Sequence, residues 1–96
     1  MSDKIAVENI NTPGRTTNVD KAKYLAMKNA MLATLPKASP GMTAQEAKEA
    51  AKAHLPDALF PGGATSGWWL KCVQLDLEAK GILVREATKP LRFHLA

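Results

Sequence analysis

The reactive side chains of the sequence include one thiol, Cys72, and two imidazoles, His54 and His94. A cysteine nucleophile needs a basic partner, and neither histidine is near Cys72 in the sequence. The three residues also lack the short spacing of a zinc signature, and the acidic residues form no paired-carboxylate site. The sequence therefore predicts no enzyme, no metal site and no cofactor, and it indicates that Cys72 is a packing residue on a helix.

A glycine-rich run at residues 62–67 precedes a predicted helix and is the next candidate for chemistry. Free amides and the dipole at a helix N-terminus suit an anion such as a DNA phosphate. The run lacks the Gly-Lys-Ser/Thr ending of a P-loop, and no clear strand leads into it. A connector with Thr65 or Ser66 as the N-cap is the favoured interpretation.

The charge of the chain is the third indication of function. Thirteen basic and nine acidic residues give a formal net charge of +4, and the pI is near 9.4. Lys80, Arg85, Lys89 and Arg92 face only Glu86, so the C-terminal stretch is locally basic. Such a balance is compatible with phosphate contacts, although small domains also carry a few excess charges for solubility.

Length and composition limit the class of protein. Ninety-six residues are predicted to form a single domain, with an N-terminal arm or hairpin at 1–19 and the main domain at 20–96. A single cysteine favours a reducing compartment, and no apolar run or leader predicts a membrane span or signal peptide. We therefore expect a cytoplasmic protein that does not bind membranes.

The helices and strands that position these residues are predicted from the periodicity of apolar residues and from capping and turn residues. A hairpin or extended arm is predicted at residues 4–19 around Pro13 and Gly14. Asp20 caps a first helix over 21–35, and the box formed by Thr43 and Glu46 caps a second helix over 44–55. A third helix over 68–80 ends at Gly81 and leads into two strands, 82–86 and 91–95, joined by residues 87–90. The predicted fold class is α+β, with three helices and a C-terminal β-hairpin.

The pattern Trp69-x3-Val73-x3-Leu77-x-Ala79-Lys80-Gly81-Ile82-Leu83 resembles the third helix and first wing strand of winged helix-turn-helix domains. The whole chain is also similar to a family of small uncharacterised bacterial proteins. The segments that carry this second resemblance are Pro13-Gly14-Arg15-Thr16-Thr17, Phe60-Pro61-Gly62-Gly63-Ala64-Thr65, Gly67-Trp68-Trp69 and Gln74-Leu75-Asp76-Leu77-Glu78-Ala79-Lys80-Gly81. The first resemblance implies a winged-helix-like domain, and the second implies no activity.

One departure from the winged-helix pattern bears on DNA docking. About twelve residues, 56–67, separate the second and third helices, whereas a compact helix-turn-helix uses 3–4.

Helix 3 and the hairpin after it contain the predicted nucleic-acid-binding residues. Lys71 and Gln74 are predicted to reach a base or a phosphate. Glu78 beside them would repel the DNA backbone. The favoured interpretation is therefore that Lys71, Gln74 and Glu78 form a solvated polar strip on the helix. The other predicted contacts are phosphate contacts from the hairpin, by Arg85, Lys89 and Arg92. The alternative is that these three form the outward face of a half-buried hairpin.

The two adjacent tryptophans indicate a rival function. Neighbouring helix positions point about 100° apart, so Trp69 is predicted in the core and Trp68 on a second surface with Leu75. The apolar arc of helix 3 is wide enough to be covered on two sides, by the core and by either the N-terminal arm or a second subunit. The leading hypothesis is a nucleic-acid-binding or regulatory module, with DNA as partner. The alternative is a protein-interaction or homodimerisation module without nucleic-acid binding.

Overall fold

The structure is a computed structural model and describes residues 3–96. It begins with an antiparallel hairpin of strands β1 (Lys4–Glu8) and β2 (Thr16–Asp20). Side chains alternate between the two faces of a strand, so Val7 and Val19 share one face and are both buried. The predicted N-terminal element is therefore a hairpin packed on the rest of the chain, not a free arm.

Helix α1 (Lys21–Thr34) follows the hairpin directly. Its N-terminus is fixed by the Asp20 carboxylate, which accepts a hydrogen bond of 3.1 Å from the amide of Lys23 and confirms the predicted cap. The helix ends before Pro36, because a residue that precedes proline is disfavoured in helical conformation. The buried face of the helix consists of Tyr24, Met27, Ala30 and Met31.

A two-residue strand, β3 (Met42–Thr43), leads into helix α2 (Ala44–Lys52). Thr43 and Glu46 form the predicted capping box. The helix ends at Lys52, not at residue 55. Tight turns replace the last predicted turn of the helix.

The long connector after α2 is anchored by Phe60, which is fully buried in the core. A short 3₁₀ turn at Pro61–Gly63 then leads to helix α3 (Ser66–Ala79). Thr65 precedes the helix in a left-handed conformation and its side chain does not cap it. Gly81, at a φ of 75°, ends the helix as predicted.

Strands β4 (Leu83–Glu86) and β5 (Arg92–Leu95) form the predicted C-terminal hairpin. The sheet has three strands in the order β3-β5-β4, all antiparallel, so β3 is an addition that the sequence did not predict. Its approach to β5 depends on Gly41, which has a φ of +88° and lies against the backbone of Phe93.

The protein is thus a mixed α+β fold of three helices and two small antiparallel sheets, which confirms the predicted class. The core lies between the three helices, with Leu83 and Phe93 closing it from the sheet and Val7 and Val19 from the hairpin. Among residues 3–96, no helix has the length and apolar character needed to cross a bilayer.

Candidate functional site

Three of the five predicted nucleic-acid-binding residues line one cavity. Lys71, Gln74 and Arg85 border a cavity of about 580 Å³ between α2, α3 and the three-stranded sheet, which we call the sheet-side cavity. Its other walls include Lys48 from α2 and Leu91, which directly precedes β5. The geometry therefore brings together a basic and polar group of side chains beside α3.

Gln74 and Arg85 are already engaged inside the protein. The Gln74 amide donates a hydrogen bond of 2.8 Å to Glu78, and the Arg85 guanidinium lies 3.1 Å from the same carboxylate. Arg85 also lies over the ring of Phe93, 6.0 Å from its centroid. The expectation of a solvated strip is wrong for Gln74 and Glu78, which are both buried, because β4 folds back along α3 and covers them.

Lys89 and Arg92 do not join this group. Arg85 pairs with Phe93 across the sheet, whereas Arg92 pairs with Glu86, so the two arginines lie on opposite faces. Arg92 donates to the carbonyl of Gly41 at 3.0 Å and lies 3.4 Å from Glu46. Lys89 is exposed in the connection between β4 and β5 and lines neither cavity described here.

Lys48 belongs to the site although the sequence did not indicate it. Its aliphatic stem lies over Gly67: a Cβ atom placed on this glycine would be 3.7 Å from the Lys48 Cδ. Lys48 therefore lies beside the first turn of α3, and Lys71, one turn further along α3, lines the same cavity. Within residues 3–96, neither ammonium group takes part in an ion pair. The position of Lys48 depends on how α2 crosses α3, which no local pattern encodes.

A second cavity, of about 470 Å³, lies between the N-terminal hairpin and α3, and we call it the hairpin-side cavity. Trp68 lines it and remains 60% exposed, while Trp69 is buried, as predicted. The two indole rings pack edge to face, with 4.9 Å between their centroids. Leu75, predicted on the same exposed surface as Trp68, is only 9% exposed because the hairpin covers it.

Cys72 also lines the hairpin-side cavity and is half-buried. Burial, and secondarily the negative charge of Asp76, raise the pKa of its thiol. A raised pKa disfavours the reactive thiolate, in agreement with a packing residue. Among the described residues, no group of three or more histidine, cysteine or acidic side chains has the arrangement of a metal site.

The hairpin is tied to α3 by Asp76, whose side chain is fully buried. Its carboxylate accepts hydrogen bonds from the Glu8 amide at 2.8 Å, from the Lys80 ammonium at 2.9 Å and from the Tyr24 hydroxyl. The same carboxylate thus joins Lys80, one turn later on α3, to Tyr24 of α1 and Glu8 of β1. The only sequence signal for this network was a charged residue inside an apolar stretch, between Leu75 and Leu77.

Burial and the hydrogen bond to Asp76 raise the pKa of Tyr24 well above its ordinary value of 10.0. Above pH 10 the unfolded chain releases the phenol proton while the folded chain retains it. The free energy of unfolding should therefore fall by up to about 1.4 kcal/mol for each pH unit above 10. Urea denaturation at pH 8 to 11 checks this, with Tyr24→Phe as the control, since lysine titration affects both proteins alike. Equal slopes for the two proteins above pH 10 would contradict the expectation.

Comparison with known proteins gives a family but no activity. A search of curated proteins and a search of solved structures each gave no match. A family model described as a family of unknown function, DUF6958, matches residues 4–93, which include the hairpin, all three helices and both cavities. The chain therefore belongs to the DUF6958 family.

Proposed function

We propose that the protein is a winged-helix-like module that binds duplex DNA through phosphate contacts at the sheet-side cavity. The observation that carries the proposal is the charge of this cavity. Its walls contain Lys48, Lys71 and Arg85, and none of its lining residues within the described chain is acidic. Phosphate neutralisation by lysine and arginine provides most of the affinity in non-specific DNA binding.

The order of elements supports a winged-helix assignment. After the N-terminal hairpin, the chain forms α1, β3, α2, α3 and the β4–β5 hairpin in that order. In the three-stranded sheet, β5 lies between β3 and β4. Helix-turn-helix proteins place the second helix of the motif in the major groove, and α3 occupies the corresponding position in the chain. The sheet-side cavity would then lie where the β4–β5 hairpin and α3 meet the DNA backbone.

The N-terminus of α3 provides backbone N–H donors in addition to the lysine side chains. No side chain caps this end of the helix, and Gly67 in its first turn lines the cavity. Unsatisfied amides and the positive end of the helix dipole favour a phosphate group at this position. Lys48 and Lys71 flank this turn and supply the counter-charge.

The contacts in the site favour low sequence specificity. Base reading requires a free side chain in the groove, and the Gln74 amide is instead bound to Glu78. The charge of Arg85 is offset by the same carboxylate. We therefore assign phosphate binding to Lys48 and Lys71, with Lys89 as an outlying contact, and no phosphate role to Arg92.

The test is fluorescence anisotropy with a labelled 24-base-pair duplex of arbitrary sequence, titrated at several salt concentrations. The expected result is binding whose affinity falls steeply with salt. The double variant Lys48→Gln/Lys71→Gln should bind more weakly and lower the slope of log affinity against log salt by about 2. These exchanges replace each charged side chain with a slightly shorter polar one and leave the buried network untouched.

The matched control is Lys21→Gln/Lys37→Gln, which removes the same charge at two exposed positions outside both cavities. It should lose only the small affinity that follows from net charge. Absence of duplex binding at low salt, or equal losses for the two double variants, would refute the proposal.

The rival function, a protein-interaction or homodimerisation module, has one observation in its favour, the exposure of Trp68. The second residue of the predicted interface, Leu75, is covered by the chain's own hairpin. The apolar face of α3 thus has a partner within the protein, and the sheet-side cavity favours the nucleic-acid proposal.

A further inference from the structure

We propose that the hairpin-side cavity binds a small planar aromatic carboxylate, whose carboxylate group is held by Arg15 and Lys71 and whose ring packs against Trp68. This inference concerns a different cavity from the proposed DNA site and does not depend on DNA binding. Its basis is the shape, the rigidity and the charge of the cavity.

The size and lining of the cavity suit a small molecule. Ligand pockets range from about 300 to 1,000 Å³ and combine apolar walls with a few polar groups. This cavity measures about 470 Å³ and is bordered by Val7 and Val19 from the hairpin and by Trp68, Cys72 and Leu75 from α3. An aromatic ring gains most from such walls because it packs flat against an indole and against branched side chains.

The hairpin wall is rigidly attached, so the cavity is formed before any ligand binds. Val7 and Val19 are part of the core, and the Glu8 amide is bound to the buried carboxylate of Asp76 at 2.8 Å. A preformed site avoids the entropy cost of ordering a loop during binding.

The charge of the cavity selects an anion. Arg15 and Lys71 line it, and within residues 3–96 neither forms an ion pair. Arg15 directly precedes β2, at the end of the turn that starts at Thr12, and it lines the cavity together with Thr17 and Val19. Among the described residues that line the cavity, Glu8 alone is acidic, and it is out of phase with the buried Val7 in β1.

These groups favour a carboxylate over a neutral ligand. A guanidinium binds a planar carboxylate with two parallel hydrogen bonds, and an ammonium group beside it adds a point charge. A neutral aromatic molecule would displace water from both cations and give them no counter-charge. The hydroxyl groups of Thr12 and Thr17 are further hydrogen-bond partners along the same wall.

The experiment is isothermal titration calorimetry of the full chain with benzoate, 2-naphthoate and biphenyl-4-carboxylate, each compared with its neutral amide. We expect at least one carboxylate to bind with 1:1 stoichiometry and at least about ten-fold more tightly than its amide. Arg15→Gln should weaken that carboxylate about ten-fold, while Lys37→Gln, at an exposed position outside the cavity, should leave it unchanged.

Cys72 provides an independent readout because it is the only cysteine of the chain and lines the cavity. The carboxylate that binds should slow alkylation of Cys72 by iodoacetamide in proportion to occupancy. The proposal is overturned if no carboxylate binds more tightly than its amide, if Arg15→Gln has no effect, or if alkylation proceeds at an unchanged rate. Each of these outcomes can occur whether or not the protein binds DNA.

Discussion

Replacing Asp76 with alanine is expected to lower the free energy of unfolding by about 3–5 kcal/mol. The substitution removes the acceptor of three donors, namely the Tyr24 hydroxyl, the Glu8 amide and the Lys80 ammonium. Buried donors without acceptors lose their hydration and gain nothing in return, which makes such a deletion costly. A domain of this size is usually stable by only about 5–15 kcal/mol, so the loss is a large part of the total.

Urea denaturation followed by tryptophan fluorescence measures the Asp76 effect. Tyr24→Phe removes one of the three donors and should cost about 1 kcal/mol. Glu49→Ala, at an exposed acidic residue of α2, should change stability by less than about 0.5 kcal/mol. If Asp76→Ala does not fold, Asp76→Asn keeps the shape and one acceptor and should be destabilised to an intermediate degree. A loss at Asp76 no greater than that at Glu49 would contradict the structural role of the network.

Replacing Gly41 with alanine should be at least as damaging, with an expected loss of more than about 4 kcal/mol. Gly41 has a φ of +88°, and an added Cβ would lie 2.5 Å from the carbonyl carbon of Phe93 and closer still to its oxygen. Since both groups belong to the backbone, no side-chain rotation relieves the overlap. Strands β3 and β5 must therefore separate.

Gly14 is a matched control for this effect. It has a φ of +87°, but within residues 3–96 an added Cβ would have no heavy atom within 4 Å other than those of its own chain neighbours. Gly14→Ala should therefore cost only the backbone strain of a left-handed alanine, roughly 1–2 kcal/mol. Thermal unfolding followed by circular dichroism compares the two variants, and similar midpoints would show that β3 does not pack on β5 as described.

The element order could be predicted from the sequence because local chemistry sets most of the boundaries. Asp20, the Thr43 and Glu46 box and Gly81 each act within a few residues of their own position, and each has its predicted role. Strand β3 had no such signal. It comprises Met42 and Thr43 alone and exists as a strand only through pairing with β5.

The site could be predicted only in part because its contacts join residues far apart in the sequence. Helical periodicity placed Gln74 and Glu78 on a polar strip, but both are buried, and Glu78 binds Arg85 of the following strand. Similarly, Asp76 accepts hydrogen bonds from Tyr24, which is 52 positions away in the sequence, and from Glu8, which is 68 positions away. Intrinsic preferences describe a helix face correctly until another element covers it.

Lys71 lines both the sheet-side and the hairpin-side cavity. One ammonium group cannot give its full charge to two anions at once, so occupation of one cavity must weaken anion binding in the other. Thermodynamic reciprocity requires that the factor be the same in both directions. We therefore predict that anions at the two proposed sites antagonise each other through a single lysine of α3.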